Sequence, residues 1–161
     1  VICFEPYFMN LSRLITNLRL NGMSQNVSTI LGAASDFDGK SRFKIDTEKS
    51  YLSKGGKIDK DGTEINVYKL DTLYLKNLTK PLNAIKIDTE GEDYKVLLGA
   101  EGLIKKYNPS IIIEVREENK LEISNFLKKY NYNFFDVLNL KKQIDLENFE
   151  IKNISNIFAK I

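Results

Sequence analysis

Three carboxylates in this sequence stand directly after short apolar runs: Glu5 after residues 1–4, Asp88 after residues 84–87 and Glu114 after residues 111–113. Runs that are apolar on both faces read as buried strands of a parallel sheet. Ligands of such sheets sit beyond the carboxyl ends of the strands, so the three acids are expected to converge on one rim. A carboxylate in the position of Glu5 can accept two hydrogen bonds from a ribose diol, with a helix cap or a lysine partner as the competing reading. Asp88 opens the segment Asp88-Thr89-Glu90-Gly91, in which Gly91 permits a sharp turn into a helix. Strand alternation puts Lys86 on the same face as Asp88. Asp88 and Glu90 then lie near a helix N-terminus, where the dipole stabilises negative charge, and capping alone explains that placement equally well. Glu114 is expected at the rim, because burial of a charge without a partner is costly.

The small residues Gly32-Ala33-Ala34-Ser35 leave room for a flat ring such as adenine against the backbone, with Ser35 or Asp36 near its exocyclic amine. A plain tight turn is the other reading. A rim of acids supports two chemistries. One carboxylate removes a proton from a substrate hydroxyl as general base, or Asp88 and Glu114 together hold Mg²⁺, for which oxygen ligands are suited.

Absent residue types narrow the choice. The chain has no histidine and a single cysteine, Cys3. Histidine triads, histidine zinc sites, thiolate zinc clusters and internal disulfides are therefore excluded, and a reducing compartment is expected. Acid–base work falls to Asp, Glu, Lys or Tyr. The 24 basic and 22 acidic residues nearly cancel, so no strong field steers nucleic acid or anionic membranes to the molecule. No apolar run reaches the length of a membrane span and no secretory leader is read, so a cytoplasmic protein without nucleic-acid or membrane partners is expected.

The elements that position these residues follow from the hydrophobic spacing. Leu11, Leu14, Ile15 and Leu18 predict a helix with Asn10 as its N-cap and Asn21-Gly22 as its stop. Residues 27–31 predict a strand, and 41–45 with 65–70 a hairpin carrying a mobile loop over 54–62. A strand over 84–87 leads into a helix over 92–107, in which Gly99 and Gly102 imply a break or a tight packing point. Asn108-Pro109 ends it. A strand over 111–113, a helix over 121–130 and strands over 134–138 and 154–161 complete one domain spanning residues 1–161. The alternation predicts an α/β fold, a mostly parallel sheet with helices on both faces and a hairpin insertion. Residues 1–4 look like a strand already under way.

Several spaced elements resemble the FkbM-type methyltransferases. They are Phe4-Glu5-Pro6 with Leu11, Leu14, Asn17, Leu20 and Asn21; Ala33-Ala34-Ser35-Asp36 with Gly39; Leu70-Asp71-Thr72-Leu73; residues 85–91 with Glu92, Val96, Leu97, Gly99, Ala100 and Glu101; and Pro109 with Ile112-Ile113-Glu114. The resemblance implies a three-layer Rossmann-like fold and S-adenosylmethionine-dependent methyl transfer, usually to an oxygen of a sugar, polyketide or other small metabolite. It implies that Glu5, with Pro6 beside it, binds the cofactor ribose, and that Ala34 and Ser35, followed by Asp36, lie by the adenine. Asp88 would stand beside the methionine end and the acceptor, with Lys86, Glu90 and Glu114 as its neighbours. The family's first strand and Gly-rich turn would precede Val1, so the expectation is an N-terminally incomplete domain. That leaves two further readings, a catalytically silent module of the same fold and a nucleotide-binding domain of another Rossmann-like family.

Overall fold

Glu5 and Pro6 set the first boundary. Strand β1 (Ile2–Glu5) stops where proline offers no N–H to a ladder, and helix α1 (Phe8–Leu20) begins after Tyr7, which is extended. The computed structural model describes residues 1–45, 56–58, 60–75, 80–151 and 154–161. Asn10 lies inside the first turn of α1 and is not its N-cap; its side chain hydrogen-bonds the Glu5 carboxylate instead. The helix stops at Asn21-Gly22 as expected, with Gly22 in the left-handed region.

Strand β2 (Ser28–Leu31) runs parallel to β1. Residues 33–35, expected as a turn, are strand β3 (Ala33–Ser35), because a partner distant in sequence supplies a ladder for it. That partner comes from the hairpin region of β4 (Gly39–Ile45), β5 (Gly56–Ile58) and β6 (Thr63–Lys69). The loop expected over 54–62 thus contains β5, while residues 54, 55 and 59 lie outside the described residues. Leu70 opens helix α2 (Leu70–Tyr74) and does not extend the strand before it.

Strand β7 (Ala84–Ile87) matches its expected bounds. The expected long helix is two, α3 (Asp93–Gly99) and α4 (Glu101–Tyr107), broken at Ala100. Asn108 closes α4 in the left-handed conformation. The chain continues through β8 (Ser110–Arg116), α5 (Lys120–Lys128), β9 (Asn133–Asp136), β10 (Asn139–Ile144) and β11 (Ile154–Lys160).

The architecture is α/β, but among the described residues its strands form three sheets and not one mostly parallel sheet: the parallel pair β1-β2 and the mixed sheets β3-β6-β4-β5 and β10-β9-β11-β8-β7. The parallel ladders are β1–β2, β3–β6 and β7–β8; the others are antiparallel. Among the described residues β1 pairs only with β2 and β7 only with β8. The core gathers on β8, where Ile111, Ile113 and Val115 are fully buried against Leu97 and Ile104 from one side of the chain order and Ile123, Leu127 and Ile157 from the other. No helix among the described residues is long and apolar enough to cross a membrane.

One long-range contact locks α4 in place. The Asp71 carboxylate of α2 accepts the backbone N–H of Gly102 at 2.7 Å and of Leu103 at 2.9 Å, two donors that the first turn of a helix leaves unpaired. Asp71→Ala is expected to lower stability by about 2 kcal/mol. The check is urea denaturation, in which the midpoint falls and the slope stays the same.

Candidate functional site

The turn between β7 and α3 is organised by a residue that the sequence reading did not single out. Asp93, fully buried, accepts the backbone N–H groups of Thr89 at 3.0 Å and Gly91 at 3.2 Å. Folding back on itself in this way takes the chain through two left-handed positions, Glu90 (φ 55°) and Gly91 (φ 112°). The second costs a glycine little, whereas the first strains a residue with a side chain. The result presents Asp88, Thr89 and Glu90 at the carboxyl end of β7.

Parallel pairing with β8 brings in Glu114. The register Ile87↔Ile113 makes Asp88 and Glu114 the next neighbours, and the two side chains hydrogen-bond. Glu114 does not follow the strand at an open rim, as expected, but lies within β8 and is 6% exposed. Burial is tolerated because Arg116, two residues on and so on the same face, supplies the charge. Its guanidinium reaches Glu114 at 2.7 Å and, across the strands, Glu90 at 3.1 Å. Lys86 completes the group with an ion pair to Asp88 at 2.7 Å. Thr89 Oγ1 is buried with no hydrogen-bond partner among the described residues.

Electrostatics divides the two central acids. The Lys86 ammonium holds the Asp88 carboxyl below the usual carboxylate range, against its partial burial. Burial pushes Glu114 up, Arg116 opposes that rise, and the hydrogen bond to Asp88 and the nearby Asp93 charge add to it. Asp88 is therefore the ionised member and Glu114 the one that retains a proton longer, an opposed pair of the sort that does acid–base work.

The remaining candidates form a second group. Glu5 Oε1 accepts the Tyr7 N–H at 2.8 Å, and burial raises the Glu5 carboxyl above its ordinary value. Pro6, Tyr7, Phe8 and Leu31 face Phe43 and Ile65 of the hairpin across a cleft of about 430 Å³. The Glu5 carbonyl accepts the Gly32 N–H at 3.1 Å, which places the start of β3 beside the end of β1. Along β3, Ala34 packs on the core, Ser35 is buried, and the Ser35 hydroxyl lies 3.2 Å from Asp36 Oδ1. Asp36 is exposed and within electrostatic reach of Lys95 on α3.

Lys86, Asp88, Glu90 and Glu114 are thus joined in one bonded network through Arg116, while Glu5, Pro6, Ala34, Ser35 and Asp36 line the ends of β1 and β3. Helix α3 runs between the groups, from the Asp93 turn to the Ser35 backbone. Two contributors escaped the sequence reading. Arg116 was detectable as a cation two residues beyond an acid on a strand, and Asp93 as an acid closing Gly91-Glu92-Asp93 at a helix start. Among the described residues, no cluster of three or more acid, cysteine or histidine ligands comes together for a metal ion.

Residues 1–134 match the family model of the methyltransferase FkbM domain. Among solved structures, the chain is similar to methyltransferase FkbM from Methylobacillus flagellatus KT, with a TM-score of 0.65 and 17% identity. That likeness, which bears on the fold, takes in 100% of this chain and 36% of the other, so this chain spans little more than a third of that protein's length. No curated protein matches the chain.

Proposed function

Because the chain belongs to the FkbM methyltransferase domain family, we propose that it carries most of the site for methyl transfer from S-adenosylmethionine to a hydroxyl oxygen of a sugar, polyketide or other small metabolite. The observation that carries the reading is the Asp88–Glu114 pair, held where β7 ends beside β8, between Lys86 and Arg116.

The donor set suits the cofactor. Glu5 offers a half-buried carboxylate at a strand end, the form that accepts a ribose diol. Ala34 and Ser35 are small enough for an adenine to lie alongside, and Asp36 accepts from an exocyclic amine. The ionised Asp88 is matched to a cationic methionine end, and the unpartnered Thr89 hydroxyl is free to bond a polar group there. When bound, the cofactor supplies a methyl group on a sulfonium, whose transfer depends above all on alignment with the attacking oxygen.

The chain's own residues do the rest. Asp88 accepts the acceptor's hydroxyl proton; the Lys86 ion pair keeps it ionised at the expense of base strength, so its placement beside the acceptor carries the step. Glu114 hydrogen-bonds Asp88 and fixes its orientation. Asp93 sets the turn on which Asp88 stands. No metal ion is assigned a step, since the cationic places on Asp88 and Glu114 are taken by Lys86 and Arg116.

Glu5→Ala tests the cofactor half of the reading. Titration calorimetry of S-adenosylhomocysteine into the whole protein should show binding weakened about 10–100-fold, the worth of hydrogen bonds to a charged group. Unaltered affinity would remove Glu5 from the site.

A further inference from the structure

Arg116 belongs to no motif that suggested the function, yet it touches the acids on both sides of Asp88. Its Nε donates to Glu114 Oε1 at 2.9 Å, and its other fork reaches Glu90 Oε2 at 3.1 Å, from the neighbouring chain segment after β7. The side chain is 21% exposed and that of Glu114 8%, so the Glu114 contact is shielded from water, where an ion pair counts for more. The Arg116 backbone is pinned as well, its N–H donating to Asn119 Oδ1 at 2.9 Å. Glu90, at the far end of the fork, is the residue in strained left-handed backbone, and a conformation of that kind persists only where its surroundings enforce it.

We propose that Arg116 is a positioning residue for methyl transfer: its guanidinium ties the Glu90 turn to Glu114 and, through Glu114, fixes the orientation of Asp88. This rests on the methyltransferase reading above. A forked cation suits the task because a planar guanidinium bonds two carboxylates at fixed angles, whereas an ammonium acts as a point charge. The charged groups facing Glu114 are Arg116 on its own strand, Asp88 at the end of β7 with Lys86 behind it, and Asp93 of α3. Its register partner on β11 is the neutral Asn156. Lys120 of α5 is engaged with Glu117.

The test compares the whole native protein with Arg116→Gln and Arg116→Lys, using carboxyl carbon NMR titration of Asp88 and Glu114 alongside the pH dependence of methyl incorporation. In Arg116→Gln, Glu114 should titrate about one pH unit higher, as expected on losing a cation at contact distance, and Asp88, which feels Arg116 only through space, should rise by less. The acid limb of kcat/KM should move with them, and kcat should fall about tenfold or more from the loosened Asp88. Arg116→Lys restores the charge without the fork, so its titrations should return toward native while kcat stays low. Unshifted titrations in Arg116→Gln, or full activity in Arg116→Lys, overturn the proposal; so does an activity loss equal at every pH, the mark of a merely structural role. A native protein that transfers no methyl group overturns the functional reading and with it the catalytic part of the proposal, while the titrations still decide whether Arg116 holds the two acids.

Discussion

Asp88→Asn is expected to reduce kcat for methyl transfer by about 10²–10⁴-fold, the range a positioned proton acceptor contributes. An amide keeps the shape of the side chain and its hydrogen-bonding reach, but cannot take up the hydroxyl proton. Stability should barely change. The Asp88–Lys86 pair is solvent-exposed on both sides, 46% and 60% by side chain, and exposed pairs are worth about 0–1 kcal/mol. Radiolabelled methyl incorporation together with thermal melting separates the two effects. A variant with native turnover would show that some other group accepts the proton; one that has lost both turnover and cooperative melting would show that Asp88 is structural.

Gly99→Ala carries the largest expected effect on the fold, and its sign is opposite to what helix preference alone dictates. Alanine in place of glycine within a helix normally stabilises by about 1 kcal/mol. Here the added Cβ would lie 2.0 Å from the Ser35 carbonyl oxygen and 2.9 Å from its carbon. The obstacle is backbone, held by the β3–β6 ladder through the pair Ser35↔Lys69. It cannot rotate aside as a side chain would, so α3 must shift as a unit. The expected outcome is a net loss of about 1–3 kcal/mol, as for overpacking elsewhere. For a domain of this size, each kcal/mol is a fall of roughly 2–4 °C in melting temperature. Because α3 connects the Asp93 turn with the Ser35 backbone, cofactor affinity should fall too. An unchanged or raised melting temperature would mean that the close approach of α3 to β3 is wrong.

Local patterns in the sequence were sufficient for the parts of the fold that carry strong local signals. The isoleucine run of β8, the short apolar β7 with Asp88 at its end, and the glycines that break the helix between α3 and α4 were all legible, because each is written in consecutive residues. What was missed depends on partners distant in the chain. β3 has three residues and no periodicity of its own; it is a strand because β6 lies beside it. β10 has Lys141, Lys142 and Gln143 at its centre and only Ile144 half-buried, so no alternation marks it, and lysines of this sort are what protects a sheet edge. Asn10 looked like a cap because capping is its usual local use, but a carboxylate five residues earlier in the chain recruits it.

The candidate site divides along the same line. The types of residue at the strand ends were visible in the sequence, and so was the resemblance that gives them roles. Their linkage was not. Glu114 read as a rim acid because the arginine that permits its burial neutralises it only once β8 extends past it and folds against the β7 turn. Asp93 read as one more acid at a helix start, and its grip on Thr89 and Gly91 exists only in the folded turn. Glu5 and Asp88 stand in separate bonded groups, bridged by helix α3 and not by a shared hydrogen bond.

A crystal structure of the whole protein with S-adenosylhomocysteine is the most direct measurement of whether those two groups form one site. The expected result has the ribose hydroxyls on the Glu5 carboxylate, the adenine along Ala34 and Ser35, and the amino acid end reaching Asp88 and the Thr89 hydroxyl. A nucleoside bound away from Glu5, or one whose amino acid end points away from the β7 turn, would contradict it.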